Sequence, residues 1–190
     1  NRNDPAVAVD SSAGVSVFLE ARGDVACVMF DYACHATVLG PENLALSPDW
    51  VGSARETIRA ALGGPSTPVL YFPGAGGNVS ARHCRRERSC HEADRLGAVV
   101  GRAAVQAARQ SSPTPLRELI VESVPLRARP HEPLPLDLLP ESARPEHRDP
   151  APAIEADLPV LGQSTAVRLN ESGTLFVPFE LTSELGESIR

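Results

Sequence analysis

Four side chains in this sequence have the types and setting for chemistry: His35, Asn78, Ser80 and Glu180. His35 stands in YACHATVLG (32–40), Asn78 and Ser80 in YFPGAGGNVSAR (71–82), and Glu180 in FVPFELTSE (176–184). A histidine and a carboxylate make a zinc-like ligand pair. A serine beside them can act as nucleophile or as hydrogen-bond donor, and the sequence leaves both roles open.

The loop that carries Asn78 and Ser80 places Gly74, Gly76 and Gly77 within four positions. A phosphate-cradling loop of the G-x-x-x-x-G-K-[ST] kind needs a lysine, and the chain has none. A dinucleotide fingerprint G-x-G-x-x-G fails because Val79 stands where the last glycine belongs. The G-x-S-x-G elbow of α/β-hydrolases finds only Gly162 to Ala166, which leads into a strand rather than a helix. What remains is backbone that approaches something closely, because glycine has no Cβ.

The elements that must position these groups are legible as period and punctuation. Strands are predicted over 15–20 and 25–34 with a turn on Gly23-Asp24. In that turn Arg22-Gly23-Asp24 is ordinary hairpin chemistry rather than an adhesion motif. A helix is predicted after Ser47 as cap and Pro48 as first helical residue, ending at Gly63-Gly64. A short strand over 69–72 completes a strand–helix–strand unit whose strands should run parallel. A second helix is predicted at 92–110, a strand within 117–128, a hairpin around Glu171-Ser172-Gly173 with a strand at 174–178, and a helix starting in LTSELGESIR. In a parallel sheet ligands gather beyond the carboxyl ends of strands. His35, the Asn78–Ser80 loop and Glu180 each follow a predicted strand, which places all three on one expected edge. The span from 130 to 159 is rich in proline and charge and reads as a surface loop.

Cys27 and Cys34 lie in an apolar run and read as buried thiols. Cys84 and Cys90, flanked by His83 and His91 in HCRRERSCH, leave three states open: a loop disulfide, free thiols or a structural metal.

Composition bounds the function classes. The chain has 190 residues, 42% hydrophobic and 22% charged, enough for a sizeable core. All 18 basic residues are arginine, which suggests a GC-rich bacterial genome. The net charge is −6, and the one dense basic cluster, RHCRRER, is too small for the broad basic face that nucleic acid requires. No apolar run is long enough to span a membrane and no signal peptide is visible. The chain reads as an excerpt of something longer.

Taken in order, four segments resemble the neutral/alkaline (non-lysosomal) ceramidases and their bacterial relatives. NRN at 1–3 is similar to the family's NR segment, and ACHAT at 33–37 to a strand ending in a zinc-ligand histidine within HPT. GAGGNVSAR at 74–82 is similar to the loop that carries the catalytic serine, and VPFELTSELGESIR at 177–190 to the segment of a zinc-ligand glutamate. The resemblance covers most of 1–110 and 160–190 and does not touch the proline-rich stretch.

It implies zinc as cofactor, His35 and Glu180 as metal ligands, Ser80 as the catalytic serine, and Arg2, Gly77 and Asn78 on the substrate's side. It implies an α/β fold, with a mixed, partly parallel sheet and flanking helices, in one partial catalytic domain over 1–190. The implied activity is zinc-dependent hydrolysis of the amide of an N-acylsphingosine or a similar lipid amide, with membrane-surface contact through that substrate, no nucleic-acid partner, and a secreted or cell-surface location. The alternatives are a non-catalytic or truncated domain, or a hydrolase of another amide or ester. Two departures stand out: Ala36 replaces the proline after the histidine, and Ala81-Arg82 replaces the family's proline and asparagine after the serine. The family's other zinc ligands, an upstream histidine and a downstream tyrosine, would fall outside this chain.

Overall fold

A computed structural model describes residues 1–2, 4–128 and 160–189; the predicted loop at 130–159 lies outside the described residues. The chain divides into two compact units, Asn1–Pro113 with Glu180–Arg190, and Thr114–Phe179.

In the first unit β1 (Ala13–Leu19) and β2 (Val25–Tyr32) form an antiparallel pair, and β3 (Val69–Pro73) lies parallel to β2, with Val28 opposite Val69 and Tyr32 opposite Pro73. Helix α1 (Asp49–Leu62) makes the crossover between the parallel strands, as the strand–helix–strand pattern requires. Helix α2 (Cys90–Gln110) packs on α1. Their approach is close because Gly97 and Gly101 face α1: a Cβ on Gly97 would collide with the carbonyl oxygen of Trp50. The core is Val28, Phe30, Val38, Trp50, Ala54, Ile58, Val69, Ala81, Ala93, Ala104 and Val105. Within it Tyr71 stacks at 5.1 Å on Phe30 and edge-on at 5.2 Å on Trp50, an arrangement that suits the aromatic quadrupole.

The helix starts differ from the sequence reading in small ways with clear causes. Pro48 occupies the cap position of α1 rather than its first turn, and the Ser47 hydroxyl accepts the Asp49 N–H at 3.0 Å from outside the helix. Helix α2 begins two residues early, because Ser89 caps it by accepting the Glu92 N–H at 3.1 Å.

The second unit holds β4 (Leu119–Ala128), β5 (Val160–Leu169) and β6 (Ser172–Phe176) as an antiparallel sheet of its own. Its β5–β6 turn places Asn170 at φ 53°, the left-handed conformation asparagine tolerates. The Asn170 carboxamide then accepts the N–H groups of Arg117 and Glu118, tying the turn to the start of β4. The fold is therefore mixed α/β with two small sheets, one of them partly parallel, and three helices among the described residues, the third being α3 (Ser183–Ile189). The expectation of one shared sheet edge is corrected: β6 pairs locally with β5, so the strand before Glu180 does not belong to the sheet that presents His35.

Candidate functional site

Strand β2 ends at Tyr32, and the chain turns before reaching His35. Tyr71 braces this bend, since its hydroxyl reaches the carbonyls of Tyr32 at 2.9 Å and Cys34 at 3.3 Å. Burial raises the Tyr71 phenol pKa, so the group stays a neutral donor. Burial, followed by the neighbouring Cys84, also pushes the Cys34 thiol up to about 12.

His35 is fixed by three hydrogen bonds to two partners, Val79 and Trp50. Its main-chain N–H donates to the Val79 carbonyl at 3.1 Å, and its Nδ1 lies 3.0 Å from the same oxygen. Its own carbonyl accepts the Trp50 indole N–H at 3.1 Å. A carbonyl can only accept, so Nδ1 carries the proton and Nε2 is the atom presented outward. That atom stands 3.4 Å from Oε1 of Glu180, with the histidine side chain 28% exposed and the glutamate 76% exposed. The main chain continues the parallel relation of β2 and β3 beyond the strands: His35 pairs with Ser80 in an isolated parallel bridge. Both residues line a cleft of about 420 Å³ with Arg2, Thr37, Leu39, Gly40, Pro41, Arg82, Arg85 and Arg88. The Ser80 hydroxyl also caps the short 3₁₀ turn Ala81–His83, accepting the Arg82 N–H at 3.4 Å.

Glu180 reaches His35 because the glycine loop captures the segment that follows it. The Gly77 N–H donates to the Leu181 carbonyl at 2.8 Å, and a Cβ on Gly77 would lie 3.0 Å from that same oxygen. Here lies the close backbone approach that the glycines foretold. Asn78 completes the junction. Its Oδ1 accepts the main-chain N–H of Ser183 at 3.0 Å and the Ser183 hydroxyl at 3.2 Å, while its Nδ2 donates to the Glu184 carboxylate. The Asn78 side-chain amide is thus engaged at both ends with α3, and the residue's main-chain carbonyl accepts the Arg2 N–H at 2.8 Å. Glu184 sits lower than an ordinary carboxylate, chiefly through its own backbone N–H and then the Thr182 side chain. Of the six residues singled out from sequence, His35, Ser80 and Arg2 line the cleft, Glu180 faces His35, and Gly77 and Asn78 hold the Glu180 segment.

The sequence places Asp49 in the first turn of the helix after Pro48, as observed, but its tie to the loop after His35 was not read. Asp49 is buried, lies at φ 51°, and its carboxylate accepts the N–H groups of Val38, Leu39 and Trp50. It pins the loop after His35 to the start of α1, and only an aspartate reading out of a helix start into a distant loop could have revealed it. Also missed were Arg82, Arg85 and Arg88 as cleft residues; they were read only as a compact basic cluster.

The four cysteines are free thiols. Among the described residues no three His, Cys, Asp or Glu side chains converge on one point.

No protein-family model matches the sequence, and no curated protein does. Solved structures do match in shape. Neutral ceramidase from Pseudomonas aeruginosa superposes with a TM-score of 0.70 over 98% of this chain, at 18% identity. The chain has the neutral ceramidase fold. A ceramidase complexed with C2 matches with a TM-score of 0.71, again over 98% of the chain, at 16% identity. The chain spans 38% and 40% of the lengths of those two ceramidases.

Against that fold the donor set can be tested for zinc. His35 donates its second ring N–H to a carbonyl, the outer-shell contact that orients ligating histidines. Its Nε2 and the Glu180 carboxylate converge, nitrogen and oxygen donors of the kind zinc accepts. These two donors fit one side of a zinc centre, and a catalytic site takes three protein ligands.

Proposed function

We propose that this chain supplies the serine-bearing half of a zinc-dependent amidohydrolase site that cleaves a lipid amide, releasing a fatty acid and an amine. The observation that carries the reading is the pairing of His35 with Ser80 in one bridge while Nε2 of His35 faces Glu180. The ceramidase fold supports it, as does the order of the four sequence segments. His35 and Glu180 would hold the metal. When bound, zinc would polarise the amide carbonyl and lower the pKa of a water towards neutrality.

The chain's own groups would do the rest. The Val79 carbonyl keeps the proton on Nδ1 of His35, which leaves Nε2 as the ligating atom. Ser80 lies beside His35 along the bridge, where its hydroxyl can attack or donate to the reacting carbonyl. The Gly77–Leu181 and Asn78–Ser183 bonds keep the Glu180 segment in place, and Trp50 and Tyr71 fix the main chain on either side of His35.

The test measures metal content and hydrolysis of a fluorescent N-acylsphingosine and short-chain N-acyl amides by the intact protein. His35→Ala is expected to lose both zinc and turnover. Ser80→Ala is expected to keep zinc and lose at least ~10²-fold in rate, the scale of one positioned catalytic group. Normal zinc content and full activity in His35→Ala would refute the metal assignment, and a wild-type rate in Ser80→Ala would return Ser80 to a loop role.

A further inference from the structure

The cleft that holds His35 and Ser80 is lined by four arginines, Arg2, Arg82, Arg85 and Arg88, and among the described residues by no acidic side chain, Glu180 standing at its edge 3.4 Å from the His35 ring. This is notable in a chain of net charge −6. Arg88 has a carboxylate partner, Glu42, at 3.2 Å. Among the described residues, Arg2, Arg82 and Arg85 have no carboxylate within ion-pair distance. Carbonyls hold two of them instead. Arg85 donates through one terminal nitrogen to Thr37 at 2.7 Å and to Val38 at 3.3 Å, and Arg82 donates to the Arg2 carbonyl at 3.4 Å. A carbonyl orients a guanidinium without neutralising it, and each guanidinium carries five N–H donors. Like charges drawn into one cleft repel. Two arginines held there by neutral acceptors make a ready receptor for an oxyanion, because the guanidinium fork matches carboxylate and phosphate geometry.

We infer that the substrate of this cleft carries an anionic group, a carboxylate or a phosphate, close to the amide that is cleaved. The inference rests on the hydrolase reading for its catalytic half and on the arginines for its binding half. Arg82 lines the same cleft as Ser80, so the anion it would meet is one carried close to the amide. An N-acyl amino acid has its carboxylate so placed, and an N-acyl amino-alcohol phosphate has its phosphate slightly farther out. The reaction consumes one water. The amide C–N bond and one O–H bond of the water break, a C–O bond forms at the acyl carbon, the water's proton passes to the leaving nitrogen, and the amine departs with its anionic group attached.

A matched series decides the matter in the intact protein: an N-acylglycine, the N-acylethanolamine phosphate of the same acyl chain, and the neutral N-acylethanolamine. The amine released gives kcat/KM. At low salt one anionic substrate is expected to exceed the neutral one at least ~10-fold, with the preference shrinking as salt screens it. Which of the two wins identifies carboxylate or phosphate. Arg82→Gln should cut the anionic-to-neutral ratio about 10- to 100-fold, the scale of a hydrogen bond to a charged group, and Arg82→Lys should restore part of it. If the neutral amide is cleaved as well as the anionic ones, or Arg82→Gln leaves the ratio unmoved, the anion inference is overturned and the hydrolase reading stands. If none of the three is cleaved, titration calorimetry with N-acylglycine and with the N-acylethanolamine phosphate decides. Binding that weakens about 10-fold in Arg82→Gln keeps the anion site without the hydrolase, and no binding overturns the inference.

Discussion

Replacing Asn78 with alanine should unlock the segment that carries Glu180 while leaving the core intact. The Asn78 carboxamide oxygen accepts two bonds from Ser183, which is only 2% exposed. Ser183 retains the Ala75 carbonyl for its hydroxyl, at 3.3 Å, but its main-chain N–H at the start of α3 loses the acceptor it has in the wild type. The bond from Nδ2 to the Glu184 carboxylate is lost as well; with about 1 kcal/mol for each of these two contacts left without a substitute, the junction weakens by about 2 kcal/mol. Local opening of 181–189 then becomes roughly 30-fold more frequent, since 1.4 kcal/mol is a factor of ten. Hydrogen exchange followed by mass spectrometry reads this directly. Peptides from 181–189 should exchange about 30-fold faster in Asn78→Ala, and peptides from α1 and α2, whose packing does not involve Asn78, should be unchanged. Equal exchange of 181–189 in both proteins would refute the idea that this one amide latches α3. Faster exchange everywhere would mean that Asn78 supports the whole unit.

Glu92 is buried beneath Arg95, and that guanidinium, followed by the Arg86 N–H, lowers its carboxyl pKa to about 2. A depressed carboxyl stabilises the fold above its unfolded value of about 4.3. The contribution fades as pH falls from there towards 2. The stability gap between wild type and Glu92→Gln in urea unfolding should therefore narrow across that window, and a gap independent of pH would contradict the assignment. Thiol chemistry gives a second check. With Cys34 at about 12 and Cys84 and Cys90 exposed, iodoacetamide at pH 8 should alkylate Cys84 and Cys90 first and Cys34 last, as peptide mapping would show.

Local patterns carried the sequence reading as far as neighbours in sequence decide structure. The β1–β2 hairpin, the crossover through α1 and the run of α2 each follow from period, caps and turn residues within a short window. Strand partners far apart in sequence did not yield to the same logic. Nothing in GTLFVPFE states that its strand pairs with β5 rather than joining the parallel sheet; that choice belongs to the turn at Asn170 and its ties to Arg117 and Glu118. The candidate site divides in the same way. His35 and Ser80 were found because each follows a strand, whereas Asp49 acts across ten residues of loop through main-chain N–H groups that no side-chain pattern announces. The cleft arginines were visible as residues but not as a lining, because only the pairing of His35 with Ser80 brings the 37–41 loop over against them.

The first unit is discontinuous: Thr114–Phe179 separates Asn1–Pro113 from the return at Glu180. During synthesis the histidine, the serine and the arginine-lined cleft therefore leave the ribosome well before the glutamate that faces them. Glu180 follows Arg88, the last of the cleft residues, by 92 positions, so at ~5–20 residues per second the delay is roughly 5–18 s, far longer than a helix or hairpin needs to form. For that interval His35, Ser80 and the four cleft arginines are in the chain while Glu180 is not. The connectivity thus gives assembly a direction: the residues around His35 and Ser80 are made first, and Glu180 can join them only once the segment that docks on Asn78 has followed.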